Sequence, residues 1–377
     1  MKYIHQLNNW PQFIWDHEKV ADLLGSVRNR QGRLIGRMES LGFSLCKEAI
    51  LQTLTLDIIK SSEIEGEKLD SASVRSSIAR KLGMDIAGIV DSDRHVDGVV
   101  EMMLDATQNF NKTLTKERLL GWQAAIFPGG HSGIRKIRTG AWRDDKNGPM
   151  QVVSGRIGRE RIYFEAPSAN QLNMEMKRFI SWFNGSEKID PVLKSAIAHL
   201  WFVTIHPFDD GNGRIARAIT GMLLARADGS AQRFYSMSVQ IRKERNAYYD
   251  MLEKTQKAPT ANRHNKQGKG INITAWLCWF LTCLDRALSS AEDSLSGVLK
   301  KADFWKSHPK ELFNERQRIM INKIFEGFEG NLTTSKWAKI TKCSQDTAYR
   351  DILGLIGKEI LIKDSSGGRS TGYLMKE

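Results

Sequence analysis

The sequence predicts a mainly α-helical protein with one β-hairpin near its middle and a winged helix at its C-terminal end. Three observations carry that prediction. Most of the chain is patterned for helices, one short stretch turns β-rich around glycines, and the residues after Glu311 run helix, tight turn, helix, hairpin.

The elements follow in order. Residues 18 to 60 read as helices with short breaks, the last of them, "EAILQTLTLDIIKSSEIEG", closing at Gly66. Asp70 and Ser71 can cap the next helix, "SASVRSSIARKLG", and further helices are expected from about Ser92 to Asn111 and from Thr115 to Phe127. "MQVVSGRIGRERIYFEAP" places two β-rich runs around Gly-Arg-Ile-Gly before Pro167, which predicts a hairpin at about 151 to 164. Its turn is basic, with Arg156, Arg159 and Arg161. Helices resume near Asn170 and again after Pro191.

A polar, basic segment at 257 to 270 has the composition of an insertion, and one long helix is expected from Ile273 to about Leu299. In the tail, "NERQRIMINKIFEGFEG" precedes the helix-turn-helix pattern, for which Thr334 and Ser344 are the expected N-caps, and a hairpin with a Gly-Gly tip follows. The expected domains are a helical region over 1–110, a core over 111–300 and the winged helix over 308–377.

Composition limits the function classes. Apolar content of 41% and charged content of 26% are ordinary for a globular protein, and no run reaches the roughly 18 uncharged apolar residues of a membrane span. The first residues lack a basic-then-apolar signal pattern, so a cytoplasmic protein with no membrane partner is expected. Cys46, Cys278, Cys283 and Cys343 have neither disulfide-framework nor zinc-site spacing and are expected to be small buried hydrophobes. A net charge of +13 fits acidic partners such as nucleotides, nucleic acid or acidic proteins, with a solvated basic surface as the plain alternative.

The chemistry concentrates at "FVTIHPFDDGNGRIARAITG". Residues 191 to 205 are apolar on nearly every face, and Pro207 disfavours helix in the residue before it, so a buried helix is expected to stop near His206. Ile215, Ala218, Ile219, Met222 and Leu223 mark a second buried helix starting near Gly213. The loop between them ends at a helix N-terminus, where free N–H groups and a partial positive charge favour an anion. Gly211 and Gly213 allow close approach, and Arg214 and Arg217 lie side by side on the first turn, which together make a polyphosphate cradle. Asp210 belongs there only if Mg²⁺ bridges carboxylate and phosphate, and His206 is suited to take a proton near neutral pH. These parts describe transfer of a phosphorus group to a hydroxyl.

"HPFDDGNGRIAR" resembles the Fic family signature, His-x-Phe-x-Asp/Glu-Gly-Asn-Gly-Arg-x-x-Arg, at every specified position. The resemblance implies a Fic helical core with a β-hairpin flap and an enzyme that moves AMP from ATP onto a Ser, Thr or Tyr hydroxyl of a target protein. It implies that His206 is the base, Asp210 the Mg²⁺ ligand, Gly211, Asn212 and Gly213 the α-phosphate anion hole, and Arg214 and Arg217 the β- and γ-phosphate clamps. Phe208 would anchor the loop, and Asp209 carries no assigned role. The hairpin corresponds to the flap that holds the target segment by main-chain pairing. "RKERNAYYDMLEKTQ" resembles the nucleoside pocket, with Tyr248, Tyr249 and Gln256 as its candidates, only one of the adjacent tyrosines facing it.

"SSEIEG" has its own physical problem, because Glu63, Glu65 and Glu67 crowd a helix C-terminus, where the dipole disfavours anions. It matches the Fic inhibitory-helix pattern, Ser/Thr-x-x-x-Glu-Gly/Asn, which implies that Glu65, with Ser61, pairs with Arg217 and blocks the γ-phosphate. In some relatives the same glutamate serves AMP removal, so de-AMPylation stays open. A further alternative is a DNA-binding regulator whose Fic site senses nucleotide with little turnover. The tail's Lys336, Lys339, Lys342, Arg350, Lys358, Lys363 and Arg369 fit DNA backbone, diluted by Asp346, Asp351, Glu359 and Asp364, and a protein partner for the tail and a homodimer stay open.

Overall fold

Several helices begin where a short polar side chain takes a free N–H of the first turn. The computed structural model describes residues 2–39, 43–86, 88–146, 148–154, 161–258, 270–309, 312–325, 332–364 and 372–376. α1 (His17–Glu39) and α2 (Phe43–Ile64) open the chain, then α3 (Ser71–Lys81), α4 (Arg94–Gln108) and α5 (Lys116–Ile126). Asp70, Asp93 and Thr115 cap the last three by accepting from Ser73, Val96 and Arg118 N–H. α6 (Leu172–Asn184), α7 (Pro191–Ile205), α8 (Asn212–Asp228), α9 (Met237–Lys243), α10 (Arg245–Gln256) and α11 (Thr274–Ser294) follow. α12 (Ser296–Ser307), α13 (Glu315–Phe325), α14 (Thr334–Thr341) and α15 (Gln345–Gly357) complete a mainly α chain.

The sheets are small. β1 (Phe13–Ile14) pairs in parallel with β6 (Ile271–Asn272), and β2 (His131–Ser132) pairs with β3 (Arg135–Lys136). β4 (Gln151–Ser154) and β5 (Arg161–Glu165) form the central hairpin, with Val152 opposite Phe164 and a register shift between Val152 and Val153. Its turn, with Arg156 and Arg159, lies outside the described residues. β7 (Leu361–Lys363) pairs with β8 (Tyr373–Met375), and the Gly-Gly tip between them also lies outside the described residues. So does most of the 257 to 270 segment.

The chain forms two compact units, Met1–Arg37 with Ile50–Ala291, and Met38–Ala49 with Glu292–Glu377. The core of the first is α7 against α8, with α4 packed on α8 and α5. Every residue of α7 from Val192 to Ile205 is buried, which is why this helix has no polar face in the sequence. In the second unit Met320, Ile321, Trp337, Ile352, Leu355 and Tyr373 share one core. No described helix is long and apolar enough to cross a membrane.

Three sequence expectations shift. The helix drawn through Leu299 breaks at Leu295, whose φ of −92° and ψ of 1° leave the helical range, so α11 ends and α12 begins there. The N-cap of α14 is Thr333 rather than Thr334, since it is the Thr333 side chain that accepts from Lys336 N–H. The pairs β1–β6 and β2–β3 lack any sequence signal, being two residues long each.

Candidate active site

Asp190 caps α7 and Pro191 occupies its first turn, so the helix direction is fixed at its start. At its end His206 takes the left-handed conformation, φ 52° and ψ 58°, and turns the chain into the loop. Phe208 is fully buried, with its ring centroid 5.0 Å from that of Trp142. Asn212 closes the loop from the other side: its side chain accepts from Phe208 N–H at 3.0 Å and donates to Phe208 O at 2.8 Å. Its amide is therefore a clasp within the loop, and what Asn212 offers an anion is its backbone N–H at the start of α8.

His206 lies at the lip of this loop, partly buried, with Nδ1 3.3 Å from Val203 O. That contact assigns the proton to Nδ1 and leaves Nε2 as the basic nitrogen. Burial, assisted by the nearby Arg143 cation, pushes the imidazole down to about 4 against the opposing Val203 hydrogen bond and the Glu65 and Asp210 charges. The ring is neutral, and thus a base, at pH 7. Asp210 caps Gly211 N–H and accepts from the Ser132 hydroxyl of β2. Asp209, unassigned in the sequence, accepts from Arg138 N–H at 2.9 Å and ties the loop to the segment after β3.

The two arginines meet the end of α2. Glu67 N–H reaches Ser62 O and Gly66 N–H reaches Glu63 O, with Gly66 at φ 87°, which is a Schellman turn. The left-handed glycine lets residues on either side of it face the same way. Glu65 Oε1 accepts from Arg217 Nη2 at 2.8 Å, while Ser61 takes Arg217 Nε on its hydroxyl and Nη2 on its carbonyl, both at 2.8 Å. Glu67 Oε2 sits 2.6 Å from Arg214 Nη1, and its Oε1 is 2.6 Å from His95 Nε2. Glu63 pairs with Lys60 and Arg242. All three crowded glutamates thus have cations.

Burial alone would raise the Glu67 carboxyl, but the His95 hydrogen bond and Arg214 outweigh it and hold it below the usual range. His95 moves up in return, mainly through that same hydrogen bond. Burial opposes the charge on Arg217, yet Glu65 and its other neighbours raise its pKa, so it stays a cation.

Sequence reasoning brought His206, Asp210, Gly211, Asn212, Gly213, Arg214, Arg217, Ser61 and Glu65 into one place, and the structure does the same. Tyr248 is buried behind them, its hydroxyl 2.9 Å from His199 Nε2, and burial keeps the phenol protonated against the pull of Arg217. Tyr249 is the more accessible of the pair, with the Arg245 guanidinium 4.9 Å above its ring. Gln256 is buried and donates to Thr204 Oγ1 at 3.1 Å. Residues without a sequence signal are Ser132, His95 and His199, whose other nitrogen meets Thr220 Oγ1 at 2.9 Å.

The cradle keeps donors that an anion could take. Arg217 Nη1 and Arg214 Nε are buried without hydrogen-bond partners among the described residues. A Cβ on Gly213 would collide with Glu65 Oε1, so the glutamate occupies space that only a glycine leaves free. Among the described residues no group of three acidic, histidine or cysteine side chains could hold a metal. A divalent cation on Asp210 would need phosphate and water for its remaining ligands, as Mg²⁺ commonly does.

Residues 113–224 match the Fic/DOC family, and residues 3–84 match a domain of unknown function, DUF4172. Proteins named protein adenylyltransferase Fic from Culex quinquefasciatus and Aedes aegypti are 29% and 28% identical over 214 residues, 55% of this chain. That match spans 37% of each relative's length. A crystal structure of a Fic family protein from Desulfovibrio desulfuricans G20 shares the fold, with a TM-score of 0.53 and 19% identity over 95% of both chains. The signature loop and the two helices that hold it fall within the residues that match the Fic/DOC family.

Proposed function

We propose that this protein is an adenylyltransferase that moves AMP from ATP to a Ser, Thr or Tyr hydroxyl of a target protein, and that Glu65 holds it in check. The observation that carries the reading is the loop itself. A neutral imidazole whose Nδ1 is held on Val203 O, a helix N-terminus and two buried arginines with N–H groups unpartnered among the described residues sit on one loop and the first turns of α8. Relatives named protein adenylyltransferase support the same chemistry.

In this reading Nε2 of His206 takes the proton of the target hydroxyl as its oxygen attacks the α-phosphorus. The bond from that phosphorus to the bridging oxygen breaks, and pyrophosphate leaves. The N–H groups at the start of α8 stabilise the α-phosphate, and Arg214 and Arg217 hold the β- and γ-phosphates. Mg²⁺ on Asp210 would neutralise phosphate charge. Arg143 bonds both His206 O and Pro167 O just after β5, and the β4–β5 hairpin, with Phe164 packed on Tyr3, offers an edge to an extended target segment. Glu65 on Arg217 then competes with the γ-phosphate, and Glu67 on Arg214 with the β-phosphate.

The expected result is transfer of label from α-labelled ATP, and none from γ-labelled ATP, to protein, lost when Mg²⁺ is chelated. Transfer of the γ-label instead would make the protein a kinase and overturn the reading.

A second role is proposed for the C-terminal unit, read as a winged helix that binds DNA. Asp351, counted against DNA from the sequence, is buried and held by Arg316 and Asn314, so it does not dilute the surface. Lys339, Lys342 and Arg350 are exposed. Binding of the full chain to duplex DNA should weaken linearly in log salt, with a slope of about −0.9 per phosphate contacted. Absence of any salt-sensitive binding would leave a protein partner for this unit.

A further inference from the structure

One buried cation in the first unit has no place in the chemistry above. Arg143 sits in "GAWRDD", between β3 and β4, and its side chain is fully inaccessible. Its Nε donates to His206 O at 2.8 Å, and its own backbone N–H donates to Pro207 O at 2.9 Å. Nη1 meets Asp145 Oδ1 at 2.7 Å, and Nη2 donates to Pro167 O. Asp145 in turn accepts from Ala169 N–H with its other oxygen.

The three partners come from three separate places in the chain. His206 and Pro207 are the start of the phosphate loop, Pro167 follows the end of flap strand β5, and Asp145 precedes β4. A buried guanidinium is costly unless its donors are filled, and here the fork fills them with two carbonyls and one carboxylate. A lysine has the charge but not the planar fork, so it cannot reach all three together.

The backbone of His206 is also the unusual one, a non-glycine residue in the left-handed region. Such a conformation is disfavoured for a residue with a side chain and persists where surrounding contacts hold it. The contact on its carbonyl is Arg143.

We propose that Arg143 is a positioning residue that holds the left-handed His206 peptide and the end of the flap in one rigid frame, keeping the base aligned with a target segment on the flap. The proposal rests on the adenylyltransferase reading for its kinetic part, while its geometric part is independent of it. Alignment of base with hydroxyl is sensitive, since a misplacement near 1 Å can cost on the order of a hundredfold in rate.

The test uses the full chain in a Glu65→Gly background, with Arg143→Lys and Arg143→Met. Arg143→Met, Asp145→Asn is added so that no unpaired carboxylate is left if the single variant fails to fold. Both single variants should lose on the order of a hundredfold in kcat for target labelling, with KM for ATP little changed. Deuterium exchange of β5 should rise. Titration of His206 by NMR should show a higher imidazole pKa in Arg143→Met and a nearly unchanged one in Arg143→Lys, with Glu65 absent and Asp210 still facing the ring. A purely structural residue would lower the folded fraction without moving that titration or splitting kcat from KM.

Full activity in Arg143→Lys, or an unchanged His206 titration with unchanged flap exchange in Arg143→Met, overturns the proposal. If the Glu65→Gly parent transfers no AMP at all, the adenylyltransferase reading fails instead. The frame is then judged by titration and exchange alone.

Discussion

His206→Ala should lower AMP transfer by about 10²–10⁴-fold, the range for losing a positioned general base. Three features of the ring make the loss this large. Its Nδ1 is fixed on Val203 O, so the basic nitrogen always faces the same way. Burial keeps it unprotonated at pH 7. Its backbone is locked by the αL turn, so no neighbour can take its position. Arg214 and Arg217 hydrogen-bond Glu67, Ser61 and Glu65, so their hold on ATP should survive the loss of the imidazole. Transfer from α-labelled ATP, measured beside ATP affinity, checks both parts. Full labelling by the variant removes His206 from the mechanism.

Glu65→Gly should have the opposite effect, raising auto-modification and target labelling by roughly ten- to hundredfold. That range follows from a charge-assisted hydrogen bond of about 1.5–3 kcal/mol lost from the closed state. The pair is well made: Arg217 is buried, its Nη2 is 2.8 Å from the carboxylate, and Ser61 holds the rest of the fork. Glu67→Ala should add a smaller gain through Arg214. The two gains should fall short of additive, because both glutamates hang on the same Schellman turn. ATP affinity by calorimetry and labelling rate, in single and double variants, measure this. A rate that stays flat or drops in Glu65→Gly counts against the latch.

Much of the site was readable from residues alone because its signals are local. Pro207 stops a helix, Gly211 and Gly213 open a helix start, and two arginines three apart share a face. The pairing of Glu65 with Arg217 spans 152 residues, and it was implied by the family resemblance of a short pattern before Gly66, not by any local signal. Glu67 was visible only as one of three anions at an unfavourable helix end, with no hint that Arg214 and His95 would take it. Arg143 left no mark, since "GAWRDD" has neither period nor cap, and its contacts lie 24 and 63 residues away. Gln256 shows the converse, a polar residue in a plausible stretch that the fold turns toward Thr204 in the core. Local grammar exposes caps, breaks and faces. Long-range placement of a single buried cation has no local grammar.

The Schellman turn at Gly66 has a quantitative consequence. It makes Glu65 and Glu67 two teeth of one tethered ligand, which occupies the arginines as a bound molecule would. On the proposed autoinhibited reading ATP binds only the open fraction, and its apparent Kd is then the intrinsic Kd divided by that fraction. At a closed-to-open ratio near 99 to 1, the ATP needed for half occupancy rises about a hundredfold. A tethered competitor cannot be diluted away, because its effective concentration is set by the chain rather than by the solution. On that reading the ATP threshold is an intramolecular constant, set by the stability of one helix end.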